Sequence, residues 1–311
     1  MSLREINFKS YNERDIVKGW VYTPIIQPRA VIQLVHGLGE HSRRYLHMIT
    51  TLQEAGFVIY TDDHVGHGAT AAANNTWGNP GDKGFMTFIE DEQTLREMAN
   101  SEYPDLPYFM FGHSLGSMIA RGVAAKYGEG IKGLILCGVV AQMKGFEKMC
   151  KSDATKKLIE EGHGDESGIQ PLLELFEGSN DRFEEGCHPN AWVCNDPDVV
   201  LDHASDPFNL RGEPSLYLIN DLVECYKFIF SNEFVNMIPT SLPIYLIAGD
   251  NDPCTNYGEG LYHVANMLSD SGHKDVTVKC YCGYRHEIHN CREIRGEVEE
   301  GLLEFLNRFV G

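Results

Sequence analysis

No apolar run in the sequence approaches the roughly 20 residues that a membrane-spanning helix needs. The strongest runs are short and broken by glycine, proline or charge, so a spanning protein is not expected. The first ten residues, MSLREINFKS, lack the apolar stretch of a secretory leader, which points to a soluble, cytoplasmic protein. Cations are scarce: lysine plus arginine total 26 against 45 aspartates and glutamates, a formal net charge of −19. A surface this acidic repels phosphate backbones, so no nucleic-acid partner is expected. It also disfavours electrostatic docking on anionic lipid and leaves at most a transient, apolar membrane contact. Internal repeats and low-complexity tracts are missing, which excludes solenoids and arrays. The nine cysteines are odd in number and repeat no pairwise spacing. They fit reduced thiols in a reducing compartment better than a disulfide framework. Cys280 and Cys282 are separated by one residue, not by the two of a redox or zinc pair.

What is present is enough apolar sequence for a sizeable core: 42% of 311 residues, a length for one large α/β domain or two small ones. Residues 30–35 (AVIQLV), 57–61 (FVIYT), 108–112 (YFMFG) and 131–137 (IKGLILC) are short continuous apolar runs. Such runs predict strands buried on both faces. Between them, residues 40–55, 85–101 and 115–127 carry helical apolar spacing. Strands alternating with helices of this length imply a parallel sheet covered on both sides. The alternation breaks after about residue 140 and resumes with a strand at 243–248, a helix at 261–268, a strand at 276–282 and a final helix at 293–309. Between the two parts the text is helical, acidic and irregular, with helical spacing at 171–177 and 215–238. The expected division is a core from 1–141 and 240–311, interrupted by a mainly helical cap at 142–239.

Gly112-His113-Ser114-Leu115-Gly116 fits G-x-S-x-G, and it follows an apolar strand and opens a helix. That context is the one a nucleophile elbow requires. The turn places a serine at the positive end of a helix dipole, where a developing oxyanion is favoured. A serine hydroxyl needs a base, and the base an orienting carboxylate, in the chain order serine, acid, histidine. The strand at 243–248 is followed by Gly249-Asp250-Asn251-Asp252. Asp250 and Asp252 compete there. Asp252 is chosen because it stands farther along the loop, where a side chain can turn back. After the next strand come His286 and His289, of which His286 is chosen. Their spacing, His-Glu-x-His, is one residue short of a zinc-binding helix face. The oxyanion donors are expected to be the backbone N–H groups of Leu115 and Leu38, the latter in the loop His36-Gly37-Leu38-Gly39. His36, His41, His64 and His67 form a conceivable metal set, but no acidic or cysteine spacing accompanies them, so no metal is expected. Cys254 is the thiol expected near the site. Tyr217, Leu218, Leu222, Phe228 and Phe230 are either a lipid entrance or core; their helical spacing favours core.

Four stretches together resemble the α/β-hydrolase superfamily, within it the monoacylglycerol lipase and lysophospholipase-like serine hydrolases. They are residues 36–45 (HGLGEHSRRY), 63–68 (DHVGHG), 112–116 and 283–290. The resemblance implies a mostly parallel sheet flanked by helices with an inserted helical cap. It places Ser114, Asp252 and His286 at the triad positions and Leu38 and Leu115 at the oxyanion positions. It implies an ester hydrolase without metal or organic cofactor, acting on a small-molecule ester or lipid; medium- or long-chain monoacylglycerols and simple carboxylic esters rank first among substrates, with the cap shaping the acyl pocket. Lysophospholipid, thioester and amide or peptide hydrolysis on the same triad, or a non-catalytic ligand receptor, are the alternatives. Ser205-Asp206-Pro207-Phe208 looks like the end of that family's cap, while Ala69-Thr70 departs from the serine that usually follows the DHVGHG stretch. The oligomeric state is left open.

Overall fold

A computed structural model describes residues 2–209 and 212–310. Eight strands form one sheet in the order β1-β2-β4-β3-β5-β6-β7-β8. They are β1 (Ser2–Lys9), β2 (Ile16–Thr23), β3 (Ala30–Val35), β4 (Phe57–Asp63), β5 (Tyr108–His113), β6 (Ile131–Cys137), β7 (Ile244–Gly249) and β8 (Val276–Tyr281). From β4 to β8 every pairing is parallel; β1 and β2 join at one edge in antiparallel fashion. The inner strands β3, β4, β5 and β7 are buried at every position, as apolar runs covered on both faces should be.

Helices α1 (Leu46–Glu54), α2 (Gly68–Asn74), α3 (Met86–Glu102) and α4 (Leu115–Tyr127) lie in the first half. The segment between β6 and β7 holds α5 (Lys144–Met149), α6 (Ala154–Glu160), α7 (Ile169–Leu175), α8 (Pro197–Ser205) and α9 (Leu216–Ile229). Helices α10 (Glu259–Asp270) and α11 (Arg295–Asn307) complete the chain. Two apolar layers sandwich the sheet. One gathers Leu95, Ile119, Val123, Leu222 and Leu261, from α3, α4, α9 and α10. The other gathers Met48, Leu52, Leu302 and Leu306, from α1 and α11. This is the α/β-hydrolase fold with an inserted helical cap. Among the described residues no helix is long and apolar enough to cross a membrane.

The structure departs from the sequence expectation at the N-terminal hairpin, at α2 and in the cap. The hairpin β1–β2 was not predicted, because β1 buries only Ile6 and so carries almost no apolar alternation. The cap contains more helices than the sequence announces, all short but the last, α9, which is capped by Ser215, whose hydroxyl accepts from the Leu218 N–H at 3.3 Å. Leu218, Leu222, Cys225 and Tyr226 of α9 belong to the same apolar layer as α4, so this helix of the insertion is also a wall of the core.

Parallel order sends the loops after β3, β5, β7 and β8 to one end of the sheet. Because β3 and β5 are neighbours, with Val35 opposite Gly112, the loop at 36–41 and the turn at 113–114 meet where the strand order reverses. Phe109, fully buried on β5 and with its ring 6.3 Å from those of Phe57 and Phe309, anchors the middle of that end-to-end arrangement. Phe109→Ala is expected to cost about 3–5 kcal/mol of global stability, read as a shift of the urea midpoint at unchanged slope.

Candidate active site

Ser114 follows β5 directly with φ 55° and ψ −119°, a conformation that side chains rarely adopt, and α4 begins at the next residue. The strain is imposed by close packing around it. A Cβ on Gly112 would stand 2.2 Å from the Gly116 carbonyl oxygen, and one on Gly116 would stand 2.1 Å from that of Val35. Both glycines are therefore dictated by contact between strand and helix backbones. The Ser114 N–H donates to the Cys137 carbonyl at 3.0 Å, which ties the turn to the end of β6. Leu115 is the first residue of α4, so its N–H has no acceptor within the helix.

Asp252 and His286 are brought together behind this turn. His286 Nδ1 lies 2.8 Å from Asp252 Oδ2, while Asp252 Oδ1 accepts the N–H of Cys254 at 2.8 Å. Both side chains are buried. The His286 ring reaches the serine side of the site: a Cβ on Gly138, the residue after Cys137, would stand 2.9 Å from His286 Cε1, and the His113 and His286 rings are 4.7 Å apart. Burial pulls the His286 imidazole down, but the Asp252 carboxylate outweighs it, with Cys254 assisting, and holds it well above the ordinary histidine value. Asp250 stands elsewhere, accepting the Gly283 N–H at 2.6 Å as a turn residue. His289 is also apart: it stacks on Tyr45 at 4.9 Å, and burial with His113 beside it lowers its imidazole to about 3.

The loop after β3 is held from beneath by Glu40, whose role left no signal in its sequence position. Its Oε1 accepts the Gly37 N–H at 2.7 Å and the Tyr45 hydroxyl at 2.6 Å, and lies 3.0 Å from His113 Nδ1. Gly37 admits no side chain, since a Cβ would meet Glu40 Oε1 at 2.6 Å and Ser114 Cβ at 3.1 Å. Leu38 follows, half-buried, at the mouth of the loop. Burial pushes the Glu40 carboxyl up, but His113 and Arg44 outweigh it and hold it well below the usual carboxylate range.

Arg44 joins three parts of the site. Its guanidinium contacts Glu40 at 3.3 Å, Asp202 of α8 at 2.9 Å and Glu287, next to His286, at 2.8 Å. Only 3% of the Arg44 side chain is exposed. Burial pushes the Glu287 carboxyl up, and Arg44 reverses this to hold it at about 2. Beside it, Asp63 orders the DHVGHG stretch: Oδ1 accepts from Ser42 N–H and hydroxyl, and Oδ2 from Ala69 N–H and Arg43. Thr70 donates its hydroxyl to the Asp63 carbonyl and accepts the Lys18 N–H. The cap-end segment docks here as well, through His41 Nε2 to Asp206 at 2.9 Å and Phe208 under Arg43.

The cap supplies an aromatic wall that was not foreseen. Trp192 lies 5.3 Å from the His286 ring and stacks on Phe176. The wall is fixed by backbone bonds, His286 N–H to the Trp192 carbonyl and Glu287 N–H to that of Val193. Trp192 lies outside every periodic run and Phe176 reads as one position of the helical spacing at 171–177, so only the fold reveals their place at the site. Of the residues weighed as a lipid entrance, Leu218 and Leu222 are core, and Phe228 and Phe230 pack against Phe234 and His263. His36, His64 and His67 cluster, whereas His41 points to Asp206. Cys254 is buried with its sulfur in the group formed with Asp252 and His286, and burial raises its thiol pKa.

A family model described as serine aminopeptidase, S33, matches residues 26–293. The chain is 30% identical to the monoglyceride lipase of Rattus norvegicus, over 93% of this chain and 84% of that one. It is 24% identical to the monoacylglycerol lipase of Mycolicibacterium smegmatis, over 87% and 85%. Among solved structures, a thermostable carboxyl esterase from Bacillus coagulans in complex with glycerol is 51% identical, covers 99% of both chains and superposes with a TM-score of 0.95. A lipase in an open form is 42% identical over 99% of both chains, with a TM-score of 0.94.

The Arg44 contacts carry a direct consequence. Arg44→Met leaves Glu40 and Glu287 as buried, uncompensated charges, and is expected to cost roughly 3–5 kcal/mol by urea unfolding. Arg43→Met, at a more exposed guanidinium, is expected to cost clearly less in the same assay.

Proposed function

We propose, for a chain that belongs to the serine aminopeptidase S33 family of α/β-hydrolases and is a serine ester hydrolase, that it cleaves monoacylglycerols and simple carboxylic esters through an acyl-enzyme. The observation that carries the reading is the 2.8 Å contact of His286 with Asp252 behind a strained, partly accessible Ser114. Ser114 Oγ attacks the ester carbonyl and His286 takes its proton, then passes it to the leaving alcohol. Asp252 fixes the imidazole tautomer and stabilises the imidazolium. The Leu38 and Leu115 N–H groups receive the oxyanion, each contributing about 3 kcal/mol. Water activated by His286 then releases the acid.

The division of labour follows the fold: residues 1–141 and 240–311 carry the machinery, and the insertion 142–239 shapes the acyl site with Phe176 and Trp192. Neutral head groups suit a chain of charge −19 better than anionic ones. The lipases of rat and mycobacterium support the monoacylglycerol assignment, and glycerol bound to the Bacillus coagulans esterase is the alcohol such a reaction releases. Nine free thiols support a cytoplasmic setting.

The test is turnover of medium- and long-chain monoacylglycerols beside lysophospholipids and p-nitrophenyl esters. Ser114→Ala is expected to abolish all turnover and labelling by a fluorophosphonate while leaving the melting temperature nearly unchanged. Full activity of that variant overturns the mechanism, and a preference for lysophospholipid overturns the substrate.

The raised His286 pKa has its own signature. The base works only when neutral, so kcat/KM should rise with pH through an acid limb on the alkaline side of the ordinary histidine value. Asp252→Asn should move that limb to lower pH while cutting kcat by about 10⁴-fold. Stopped assays across pH 5–10, on the order of half a unit apart, read both effects.

A further inference from the structure

A second group of side chains, outside the serine site, is fully enclosed between the sheet and α3. It comprises Asp62 on β4, His64 just beyond that strand and Glu92 on α3. One donor atom from each lies within 4.8 Å of the others. His64 Nδ1 is 3.5 Å from Asp62 Oδ1 and 3.3 Å from Glu92 Oε1. None of the three residues exceeds 3% exposure.

Backbone partners fix the state of His64. His36 Nδ1 faces the Gly37 carbonyl at 2.8 Å and therefore carries the proton, which leaves His36 Nε2 to accept the His64 N–H at 3.0 Å. His64 Nε2 faces the His36 carbonyl at 3.1 Å, and a carbonyl only accepts, so Nε2 is protonated. His64 Nδ1 thus offers a lone pair. The lone pair points at carboxylate oxygens, which are acceptors too. Asp62 Oδ1 and Oδ2 and Glu92 Oε1 have no hydrogen-bond partner among the described residues. The other Glu92 oxygen is already engaged by Gln33.

Acceptors that converge where water is excluded require a proton or a cation between them. Protons on both carboxyls, one passed between them and one turned to Nδ1, would satisfy the group as well, and that arrangement leaves the protein free of metal. A single cation answers all three. The 3.3 and 3.5 Å separations match the edge of a tetrahedron around an ion with bonds of about 2.05 Å, an edge of ~3.4 Å. One imidazole and two carboxylates neutralise a divalent charge and suit a borderline metal.

We propose that Asp62, His64 and Glu92 hold one structural divalent cation of the zinc type. It would tie β4 to α3. Through the His64 Nε2–H bond to the His36 carbonyl, it would also brace the loop that carries Leu38. Its role is positional, because no ligand reaches Ser114. The set was invisible to local spacing, since Glu92 stands far along the chain from the histidines.

The test uses full-length, tag-free protein from zinc-supplemented cells, desalted and assayed for metal. About one zinc per chain is expected. Because the site is enclosed, metal is removed in denaturant with chelator, and the protein is refolded with and without Zn²⁺. The metal-free form should melt lower by on the order of 5 °C. Refolding with Co²⁺ should give the visible absorption of a tetrahedral site. Asp62→Asn/Glu92→Gln keeps the shapes and removes the charges. It should contain no zinc and melt at a temperature independent of Zn²⁺; Glu92→Gln alone serves if the double variant does not fold. Cys254→Ser should keep its zinc, which separates this site from the Asp252–Cys254–His286 group. The proposal is overturned if wild-type protein refolded with excess Zn²⁺ retains less than a tenth of an equivalent. It is equally overturned if zinc persists in the folded double variant or is lost in Cys254→Ser.

Discussion

The buried guanidinium of Arg44 is the interaction on which the rest of the site depends. It reaches the clamp residue of the loop after β3, the residue next to His286 and a cap helix at once. Each of these lies on a separate segment, and nothing in the sheet alone fixes the distance between the first two. Charges withdrawn from water tolerate little misplacement, so an enclosed Arg–carboxylate network sets geometry more firmly than apolar contact does. Glu40 passes that constraint on, since the oxygen that orders Gly37 also receives Tyr45 and lies beside His113, the neighbour of Ser114.

Strain and close contact supply the second layer of precision. The unusual backbone at Ser114 persists because Gly112 and Gly116 let β5, α4 and β3 approach more closely than any side chain would allow. The same logic holds Asp63, which sits where a Cβ on Gly68 would lie, 2.2 Å from its Oδ2. The short glycine-bearing stretches are thus dictated by distances between backbones as much as by chemistry at the serine.

Much of this was legible in the sequence, for identifiable reasons. Strands buried on both faces leave unbroken apolar runs, so β3 to β7 stand out, as do α1, α3 and α4 between them. The G-x-S-x-G turn is visible locally, and chain order narrows the acid to Asp250 or Asp252 and the base to His286 or His289; the structure brings Asp252 and His286 into contact while leaving Asp250 in a turn and His289 against Tyr45. What escaped notice depends on distance across the fold. The strand β1 is too exposed to alternate, and the short cap helices gain their stability from packing. Trp192 meets His286 only because the insertion folds back over the β8 loop. Glu40 and Arg44 look like surface charges in one dimension, and only their burial shows otherwise.

The double membership of α9 has a further meaning. It lies in the insertion, yet Leu218, Leu222 and Tyr226 fill the apolar layer shared with α4. The insertion is therefore no detachable module. Exchanging it wholesale for that of a relative would remove one side of the hydrophobic interior. Phe146 of α5 and Leu175 of α7 enter the same layer and Asp202 of α8 is held by Arg44, so the insertion is fastened to the scaffold at several points along its length.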